Sequence, residues 1–431
     1  MLIEFRVANY RSFRDTQVLS LTASSANEWQ STHTFDTKQK AFPKMLRSGV
    51  LYGPNASGKT NLLRALQFVQ AFVLQSAATS AQVIGPTADP TNEQRILVPP
   101  FLFDKTTSDK PSEFEVTFVE GGVRYQYGFV VSPERIHREW LVAYPNGRPQ
   151  RWFERTFNAK TKQFQWEFGS KLKGDHNVWR NATRPNVLFL STAIQLNSEQ
   201  LKPIFHWFQN RLVVIVANSQ FNAMLTFGLL SNPESESKLM KFIQAADLGI
   251  DKVTVKREHL PAGIVAIPGI PIMENANGGP GAQVHRFQFL HKVLGSNELV
   301  ALEGGDESTG TQKFMQAAGG LLKVLANGEV LLIDELDNSL HPLMVRFLIS
   351  LFHSNRTNKT NAQLFITTHD TSLLDGDLFR RDQVWFMEKD KKHSSHIYSL
   401  LDFSPRKDEA IGKGYLKGRY GALPFIGELR V

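Results

Sequence analysis

The segment Gly53-Pro54-Asn55-Ala56-Ser57-Gly58-Lys59-Thr60 has the spacing of a phosphate-binding P-loop. Small residues allow backbone N–H groups to wrap around phosphates at the start of a helix, where the helix dipole favours negative charge. Lys59 would neutralise the β and γ phosphates, and the Thr60 hydroxyl would ligate magnesium. The alternative interpretation, an ordinary glycine turn, is disfavoured by the sequence on either side.

The flanking sequence predicts a strand before this loop and a helix after it. Val50–Tyr52 is a short apolar run that leads directly into the loop, and a helix is predicted from Lys59 to about Gln75. The apolar residues of that helix recur at helical spacing: Leu62, Leu66, Val69 and Val73. Strand, loop and helix in this order are the context that the phosphate-binding motif requires.

A second chemical signal is the hydrophobic run Val330–Ile333, which ends in the adjacent carboxylates Asp334 and Glu335. Alternation along a strand points neighbouring side chains in different directions, so the two carboxylates can have different roles. Asp334 can reach a magnesium ion, while Glu335 orients and deprotonates water. Taken alone, acidic residues at a strand end more often mark a solvated terminus. Together with the P-loop, they favour a catalytic interpretation.

Two further positions have both a structural and a functional interpretation. Ser308 and Gly310 stand at the start of a predicted helix, where Ser308 is either a plain N-cap or part of a second grip on phosphate. His369 follows the predicted strand Gln363–Ile366 and is either a structural histidine or a sensor of the γ-phosphate. The order of these residues along the chain favours the functional interpretation of both.

The pattern of strands predicts an α/β protein. Strands are expected at Leu2–Ala8, Val330–Ile333, Gln363–Ile366 and Val384–Met387. We expect one doubly wound, mainly parallel sheet, which starts at residue 2 and is completed in the last third of the chain.

Insertions are expected to interrupt this sheet. Apolar residues that alternate on both sides of Gly121-Gly122 predict a hairpin in an antiparallel β-rich lobe, and a mixed helical lobe follows. Gly85–Gln94 and Pro261–Gly281 are rich in glycine, proline and asparagine, which predicts loops. Heptads are missing between Thr60 and Ser308, so no long coiled coil is expected.

Composition excludes several classes of protein. The 431 residues include no cysteine, which excludes disulfides, Cys-ligated zinc and a thiol nucleophile. No apolar run has the length of a signal peptide or of a membrane span, so we expect a soluble, cytoplasmic protein that is not in a membrane. The formal net charge of +8 slightly favours anionic partners.

The basic segment Arg135–Arg184 concentrates this charge, with eleven Lys/Arg against four Asp/Glu. Four tryptophans are interleaved with the basic residues: Trp140, Trp152, Trp166 and Trp179. Such a surface can hold phosphate backbones and stack bases, and an acidic effector or a phage DNA mimic would use the same charges. In the structural alternative, the tryptophans are core residues and the basic groups are the solvated face of the lobe.

Together, these motifs resemble the ABC-type ATPase heads of the SMC, RecF and OLD group. The turn Leu336–Pro342 matches the D-loop of those heads. The opening Asn9–Phe13 is similar to their start, where the arginine after the aromatic residue approaches nucleotide. The resemblance implies a P-loop NTPase with an ABC-type head, which uses ATP and Mg²⁺. It also implies a head-to-tail homodimer or a higher oligomer of dimers.

The resemblance assigns three sets of site residues. Those implied in catalysis are Lys59, Glu335 and His369. Those implied in nucleotide binding are Arg11, Gly53, Pro54, Asn55, Ala56, Ser57, Gly58, Lys59, Thr60 and Asn61, with Ser308 and Gly310 acting on the ATP of the other subunit. Those implied in magnesium binding are Thr60 and Asp334. The signature is Ser-Thr-Gly-Thr rather than Ser-Gly-Gly-Gln, and no glutamine is assigned to the magnesium-linked position of the family, so slow hydrolysis is expected.

The same resemblance implies a domain organisation. Residues 1–77 and 285–403 would form a discontinuous ATPase head, and residues 98–184 would form the antiparallel β-rich lobe. Residues 185–284 would form the mixed helical lobe with its loop at 261–281, and residues 404–431 a C-terminal segment.

The whole pattern, including the segment Tyr415–Ala422, is most similar to small AAA ATPases of bacterial anti-phage and abortive-infection systems. In those systems a separate protein, often a TOPRIM-type nuclease, is the effector. The resemblance therefore implies an ATPase of antiviral defence that controls an effector encoded nearby, with DNA, RNA or a phage protein as the trigger. The alternatives are a RecF-like DNA repair ATPase and, less favoured, the energy subunit of a transporter.

Overall fold

The structure is a computed structural model, and it describes residues 1–78, 95–216, 221–246, 248–259, 272–273, 283–374, 376–406 and 409–424. The chain divides into two units. The first comprises Met1–Ala217, Asn327–Leu336 and Ile349–Val431, and the second comprises Asn218–Ala326 and Asp337–Leu348. The loops predicted at 85–94 and 261–281 lie outside the described residues, apart from a short strand at Ile272–Met273.

The elements have the following bounds. The strands are β1 (Leu2–Ala8), β2 (Gln17–Ser20), β3 (Thr34–Asp36), β4 (Lys44–Leu46), β5 (Ser48–Tyr52), β6 (Ser112–Glu120), β7 (Val123–Val131), β8 (Ile136–Tyr144), β9 (Gln150–Asn158), β10 (Gln163–Phe168), β11 (Leu212–Ile215), β12 (Lys252–His259), β13 (Ile272–Met273), β14 (Gln283–Lys292), β15 (Leu299–Glu303), β16 (Val330–Ile333), β17 (Gln363–Thr367), β18 (Val384–Lys389) and β19 (Ser395–Ser399). The α-helices are α1 (Gln30–His33), α2 (Lys59–Gln75), α3 (His176–Ala182), α4 (Phe189–Gln195), α5 (Lys202–His206), α6 (Ala223–Leu230), α7 (Pro233–Ala245), α8 (Thr309–Asn327), α9 (Pro342–His353) and α10 (Ile411–Leu416).

A mainly parallel sheet in the first unit has the strand order β11-β16-β17-β5-β18-β19. All neighbours in it are parallel except β18 and β19. Strands β5, β16 and β17 are buried along their whole length, as expected for parallel strands that are covered on both faces. The strands predicted in the last third of the chain are all present here, which confirms the α/β fold with a mainly parallel sheet.

The prediction that this sheet starts at residue 2 is wrong. β1 belongs instead to a seven-stranded antiparallel sheet with the order β10-β9-β8-β7-β6-β1-β2, in which Phe5 pairs with Val116. The physical reason can be read in the strand itself. Glu4 and Arg6 are at least partly exposed and alternate with buried Phe5 and Val7, which suits a sheet with one solvated face rather than a doubly covered one.

The predicted hairpin around Gly121-Gly122 is confirmed within this antiparallel sheet. β6 and β7 pair along their whole length, with Glu120 opposite Val123 at the turn. Gly121 and Gly122 have φ angles of 57° and 77°. Two consecutive residues with positive φ are what a tight two-residue hairpin turn needs, and glycine adopts this conformation at little cost.

Helix α2 joins the mainly parallel sheet and the seven-stranded antiparallel sheet of the first unit into one hydrophobic core. It spans Lys59–Gln75, as predicted, and contacts β11 in the parallel sheet. Towards the antiparallel sheet, the ring of Phe72 lies 5.5 Å from that of Phe129, and the ring of Phe68 lies 5.2 Å from that of Phe114. Each fully buried aromatic side chain of this kind stabilises the fold by about 1.5–3 kcal/mol. The core therefore fixes the helix that follows the P-loop.

In the basic segment Arg135–Arg184, the tryptophans agree with the structural alternative. Trp140, Trp152 and Trp179 are buried, and Trp166 is partly buried against the core. Their rings are therefore not presented for stacking on bases. Arg155 forms a buried ion pair with Glu139, whereas most of the other basic side chains are exposed, including Arg148, Lys160, Lys162, Lys171, Lys173, Arg180 and Arg184.

The second unit is built from a four-stranded antiparallel sheet and helices. β14 pairs with β12, β13 and β15. Helix α6 crosses α8 closely, because the Thr226 hydroxyl donates to Met315 O at 3.0 Å and accepts from Gly319 N at 2.9 Å. Among the described residues the longest helix is α8, with 19 residues, so no long coiled coil is found there. None of the helices in the described ranges is long and apolar enough to cross a membrane.

Candidate functional site

The predicted site residues of the first unit, apart from Arg11, lie at the carboxyl edge of the parallel sheet. Strand β17 lies between β16 and β5, and all three run parallel. Because parallel strands end at the same edge, this order brings three loops together. The P-loop follows β5, the Asp334-Glu335 pair follows β16, and His369 lies just beyond the end of β17.

The P-loop turns directly into the N-terminus of α2. Gly58 is the N-cap residue, with a φ angle of 114°, and Ser57 N donates to Pro54 O at 3.2 Å. Lys59 is buried, and its Nζ donates to Gly53 O at 2.6 Å and to Pro54 O at 3.2 Å. The ammonium group is therefore held over the loop, while Asn55 and Ala56 at the tip of the loop are exposed.

The residues of this loop fit a phosphate group. The Ser57 hydroxyl is buried and has no hydrogen-bond partner among the residues that the structure describes, which is the situation of a donor that a ligand would satisfy. A Cβ added at Gly53 would lie 2.3 Å from Met387 O, so the backbone can follow this path only without a side chain. A cation, an unpartnered hydroxyl and the N-terminus of a 17-residue helix converge on one loop.

Two serines that the sequence motifs do not single out, Ser12 and Ser395, hold the P-loop in position. Ser395 Oγ donates to Ser57 O at 2.5 Å, and Ser395 N donates to Ser12 O at 2.7 Å. Asn61 Nδ2 donates to Ser12 Oγ at 2.9 Å. A Cβ on Gly58 would lie 2.4 Å from Ser395 Oγ and 2.8 Å from Ser12 Oγ. No spacing rule could find Ser395, because 338 residues separate it from Ser57.

A threonine that was not assigned a role links the Asp334 carboxylate to the backbone of Glu335. The Thr367 hydroxyl donates to Asp334 Oδ1 at 2.6 Å and accepts from Glu335 N at 2.9 Å. Asp334 is buried, whereas 40% of the Glu335 side chain is exposed and its Oε1 lies 3.8 Å from His369 Nε2. The two carboxylates therefore have different surroundings, one buried and one partly exposed beside a histidine.

The backbone of Glu335 is held in an unusual conformation. Its φ angle is 51°, in the left-handed region that costs a residue with a side chain about 1–2 kcal/mol. Strained residues of this kind cluster at functional sites.

Thr60, the other predicted magnesium ligand, is the second residue of α2 and is partly exposed.

Arg11 lies in a turn that is fastened to a separate loop. Its φ angle is 51°, its backbone N donates to Pro99 O at 2.9 Å, and its side chain is exposed. Asn9 anchors the neighbouring loop, since its Nδ2 donates to Thr107 O at 2.9 Å. That loop presents Phe103, which is 67% exposed. An exposed cation and an exposed aromatic ring are groups that can contact a nucleobase.

The remaining predicted residues belong to the second unit. Ser308 Oγ accepts from Thr311 N at 3.1 Å, which confirms the predicted N-cap of α8. Lys313 Nζ donates to Ser339 Oγ at 3.0 Å, and a Cβ on Gly310 would lie 2.8 Å from Ser339 O. The signature-like turn and the D-loop-like turn are therefore in contact. Ser308 and Ser339 are both exposed.

A P-loop at the carboxyl edge of a parallel sheet, beside an acidic strand end, defines a P-loop nucleotide-binding protein. The protein-family model described as "AAA domain, putative AbiEii toxin, Type IV TA system" matches residues 50–375. The chain belongs to this family. No curated protein sequence matches the chain significantly.

Several solved structures show distant similarity. Two are SMC heads: one bound to the C-winged helix domain of ScpA (12% identity, 92% of this chain and 97% of that chain, TM-score 0.39), and the other from Thermotoga maritima (12% identity, 92% and 98%, TM-score 0.39). A third is the recombination mediator protein RecF with ATP (12% identity, 92% and 97%, TM-score 0.32). Similarity at this level carries no information about what this chain binds.

The close approach at Gly58 gives a test of the P-loop. Gly58→Ala is expected to weaken ATP binding about tenfold or more, roughly 1.4 kcal/mol, because the new Cβ would push the loop away from Ser12 and Ser395. Gly121→Ala is the matched control, since Gly121 also has a positive φ (57°) but no atom lies within 4 Å of its added Cβ. Dissociation constants are measured by calorimetry, and folding is checked by circular dichroism. Equal ATP affinity in wild type and Gly58→Ala would contradict this account of the loop.

Proposed function

We propose that this chain is an ABC-type ATPase that binds ATP with Mg²⁺ and hydrolyses it slowly to ADP and phosphate. The observation that carries the proposal is the hydrogen-bonded chain Asp334–Thr367–Glu335 at the carboxyl edge of the sheet that also carries the P-loop. A phosphate-binding loop alone would be compatible with many kinds of nucleotide-binding protein. A buried carboxylate linked through Thr367 to the strained backbone of a second acidic residue, whose side chain is partly exposed, supports a hydrolytic reaction.

Each residue has a proposed role that its surroundings support. Lys59, Ser57 and the backbone N–H groups of the loop bind the phosphates, while Thr60 and Asp334 hold magnesium. When bound, Mg²⁺ neutralises charge on the phosphate oxygens. Glu335 orients a water molecule and accepts its proton, and His369 beside it contacts the γ-phosphate.

Thr367 is proposed as a positioning residue in the same site. Its hydroxyl fixes Asp334 Oδ1 and the backbone N of Glu335 together, at 2.6 and 2.9 Å. Small displacements of catalytic groups reduce rates strongly. We therefore expect this hydroxyl to act through the two carboxylates rather than on the substrate.

The separate roles of Lys59 and Glu335 are testable. Lys59→Ala is expected to lose ATP binding, whereas Glu335→Gln is expected to keep ATP bound and to hydrolyse it about 10²-fold or more slowly, because the base is gone. Binding is measured with a fluorescent ATP analogue, and hydrolysis by phosphate release. Glu199→Gln is the control, since 79% of the Glu199 side chain is exposed. Wild-type turnover in Glu335→Gln would show that another residue is the base.

We further propose that two copies form a head-to-tail dimer with composite sites. Ser308 and Gly310 belong to the second unit, and Lys59 belongs to the first. Ser308 and the nearby Ser339 are both exposed, so the N-terminus of α8 is accessible to a phosphate of another copy. Helix α8 has 19 residues, and the dipole of such a helix favours an anion at its N-terminus. In a two-fold dimer the same pair of surfaces would form two equivalent sites.

Mixing two inactive variants tests the composite site. Lys59→Ala and Ser308→Arg, each inactive alone, are expected to recover about one working site per heterodimer, because one copy retains the P-loop and the other the signature turn. ATP hydrolysis is measured after the two chains are co-expressed. In the control, Lys59→Ala is combined with the double variant Lys59→Ala, Ser308→Arg, which leaves no complete site. Recovery in the control, or none in the test, would refute the arrangement.

At the cellular level, we propose that this ATPase controls a separate effector in anti-phage defence, with a TOPRIM-type nuclease encoded nearby as the first candidate. The family description, which includes a putative AbiEii toxin and a toxin–antitoxin system, supports a role with a toxic activity. The exposed cationic side chains of the basic segment Arg135–Arg184 offer a surface for DNA, RNA or an acidic protein. The alternative is a RecF-like DNA repair ATPase.

Phage challenge separates these two roles. Cells that carry the chain together with its neighbouring gene are expected to resist phage, and Lys59→Ala is expected to abolish this resistance because the ATP-dependent control is lost. Plating efficiency is the measurement, and the Glu199→Gln variant is the control. The defence proposal fails if resistance is independent of Lys59, or if deletion of the gene instead sensitises cells to DNA damage.

A further inference from the structure

The segment Tyr415–Ala422 is a motif to which the proposed chemistry gives no role. It follows and partly overlaps the short helix α10, and the chain then reverses at Gly418 and Gly421, whose φ angles are 78° and 67°. A Cβ on Gly421 would lie 2.7 Å from Glu388 Oε2 and 2.8 Å from the Tyr398 hydroxyl. The glycines therefore allow a close approach to β18 and β19.

Two tyrosines of this segment stack on the strand next to the P-loop strand. The rings of Tyr415 and Tyr420 lie 5.4 and 5.7 Å from that of Phe386, with interplanar angles of 16° and 15°. Phe386 lies in β18 and is the register partner of Tyr52 in β5. Tyr420 is completely buried and Tyr415 nearly so, so the segment is an integral part of the packing.

Hydrogen bonds also hold the segment Tyr415–Ala422 in place. The Tyr398 hydroxyl donates to Tyr420 O at 2.8 Å, and Ala422 N donates to Glu388 Oε2 at 3.0 Å. The Tyr415 hydroxyl donates to Ala422 O at 2.8 Å. Burial raises the pKa of Tyr415 to about 12, so this hydroxyl remains protonated and able to donate at neutral pH.

The segment also reaches the two loops of the site. The ring of Tyr415 lies 5.8 Å from that of Tyr52, the residue directly before Gly53 of the P-loop. The Tyr52 hydroxyl donates to Asp370 O at 3.2 Å, and Asp370 directly follows His369. Helix α10 contacts the turn Thr371–Leu373, since a Cβ on Gly412 would lie 3.5 Å from Leu374 O and 3.6 Å from Thr371 O.

From these contacts we propose that the segment Tyr415–Ala422 is a positioning element, which acts through Tyr52 and the turn at 370–374 to hold His369 beside Glu335. Tyr52 is the central positioning residue, because it joins the start of the P-loop, the C-terminal segment and the backbone after His369. The inference rests on the proposed ATPase function. It gives a role to a part of the chain that contains none of the predicted catalytic residues.

A positioning role predicts a particular kinetic pattern. Tyr415→Ala is expected to lower kcat about tenfold while KM for ATP changes less than about twofold, because the phosphate grip of Lys59 is retained while His369 is displaced. Tyr415→Phe keeps the ring and is expected to restore kcat. Tyr52→Phe removes the hydrogen bond to Asp370 O and is expected to lower kcat in the same way. Leu416→Ala is the control, since Leu416 is 62% exposed on the same helix.

Hydrogen exchange gives a readout that does not depend on activity. Residues 368–374 are expected to exchange faster in Tyr415→Ala and Tyr52→Phe than in wild type or Leu416→Ala, while α2 is unchanged. Unchanged exchange at 368–374, or a loss of kcat that Tyr415→Phe does not restore, would overturn the proposal. If the wild-type chain hydrolyses no ATP, the proposed function fails, and the exchange data alone decide whether the segment holds this turn.

Discussion

The site depends on one constraint, which is the parallel pairing of β17 between β16 and β5. Parallel strands end at a common edge, so three segments that are far apart in sequence must emerge side by side. The pairing also places the Thr367 hydroxyl within 2.6 Å of Asp334 Oδ1. A shift of one residue in this register would turn the side chain of Thr367 to the other face of the sheet and break its hydrogen bonds to Asp334 Oδ1 and Glu335 N.

Helix α2 is placed by the same parallel sheet, because it begins directly after the loop that follows β5. Its first residues, Lys59 and Thr60, are those proposed to bind phosphate and magnesium, and its aromatic side chains pack on the antiparallel sheet, where Phe72 faces Phe129. One core thus stabilises the helix and fixes the position of its N-terminus. Because packed interiors tolerate little displacement, the P-loop is tied to residues such as Ser12, which belong to the opening segment of the chain.

The features that could be predicted from sequence are those carried by local patterns. The bounds of α2, the run Val330–Ile333 and the hairpin at Gly121-Gly122 follow from periodicity and turn chemistry, and all three are present in the structure. The position of β1 was predicted wrongly because an isolated strand does not specify its partner. Its alternation of Glu4 and Arg6 with apolar residues did indicate a one-sided sheet, but the order of elements along the chain suggested otherwise.

The sequence by itself determined the P-loop, its strand and helix, the acidic strand end and the N-cap at Ser308, since each depends on neighbours within a few residues. Only the tertiary structure decided that Ser395 and Ser12 brace Gly58, that Thr367 joins Asp334 to Glu335, and that the tryptophans of the basic segment are largely interior. Such contacts depend on strand order and register, which arise from packing of the whole core and leave no fixed spacing in the sequence.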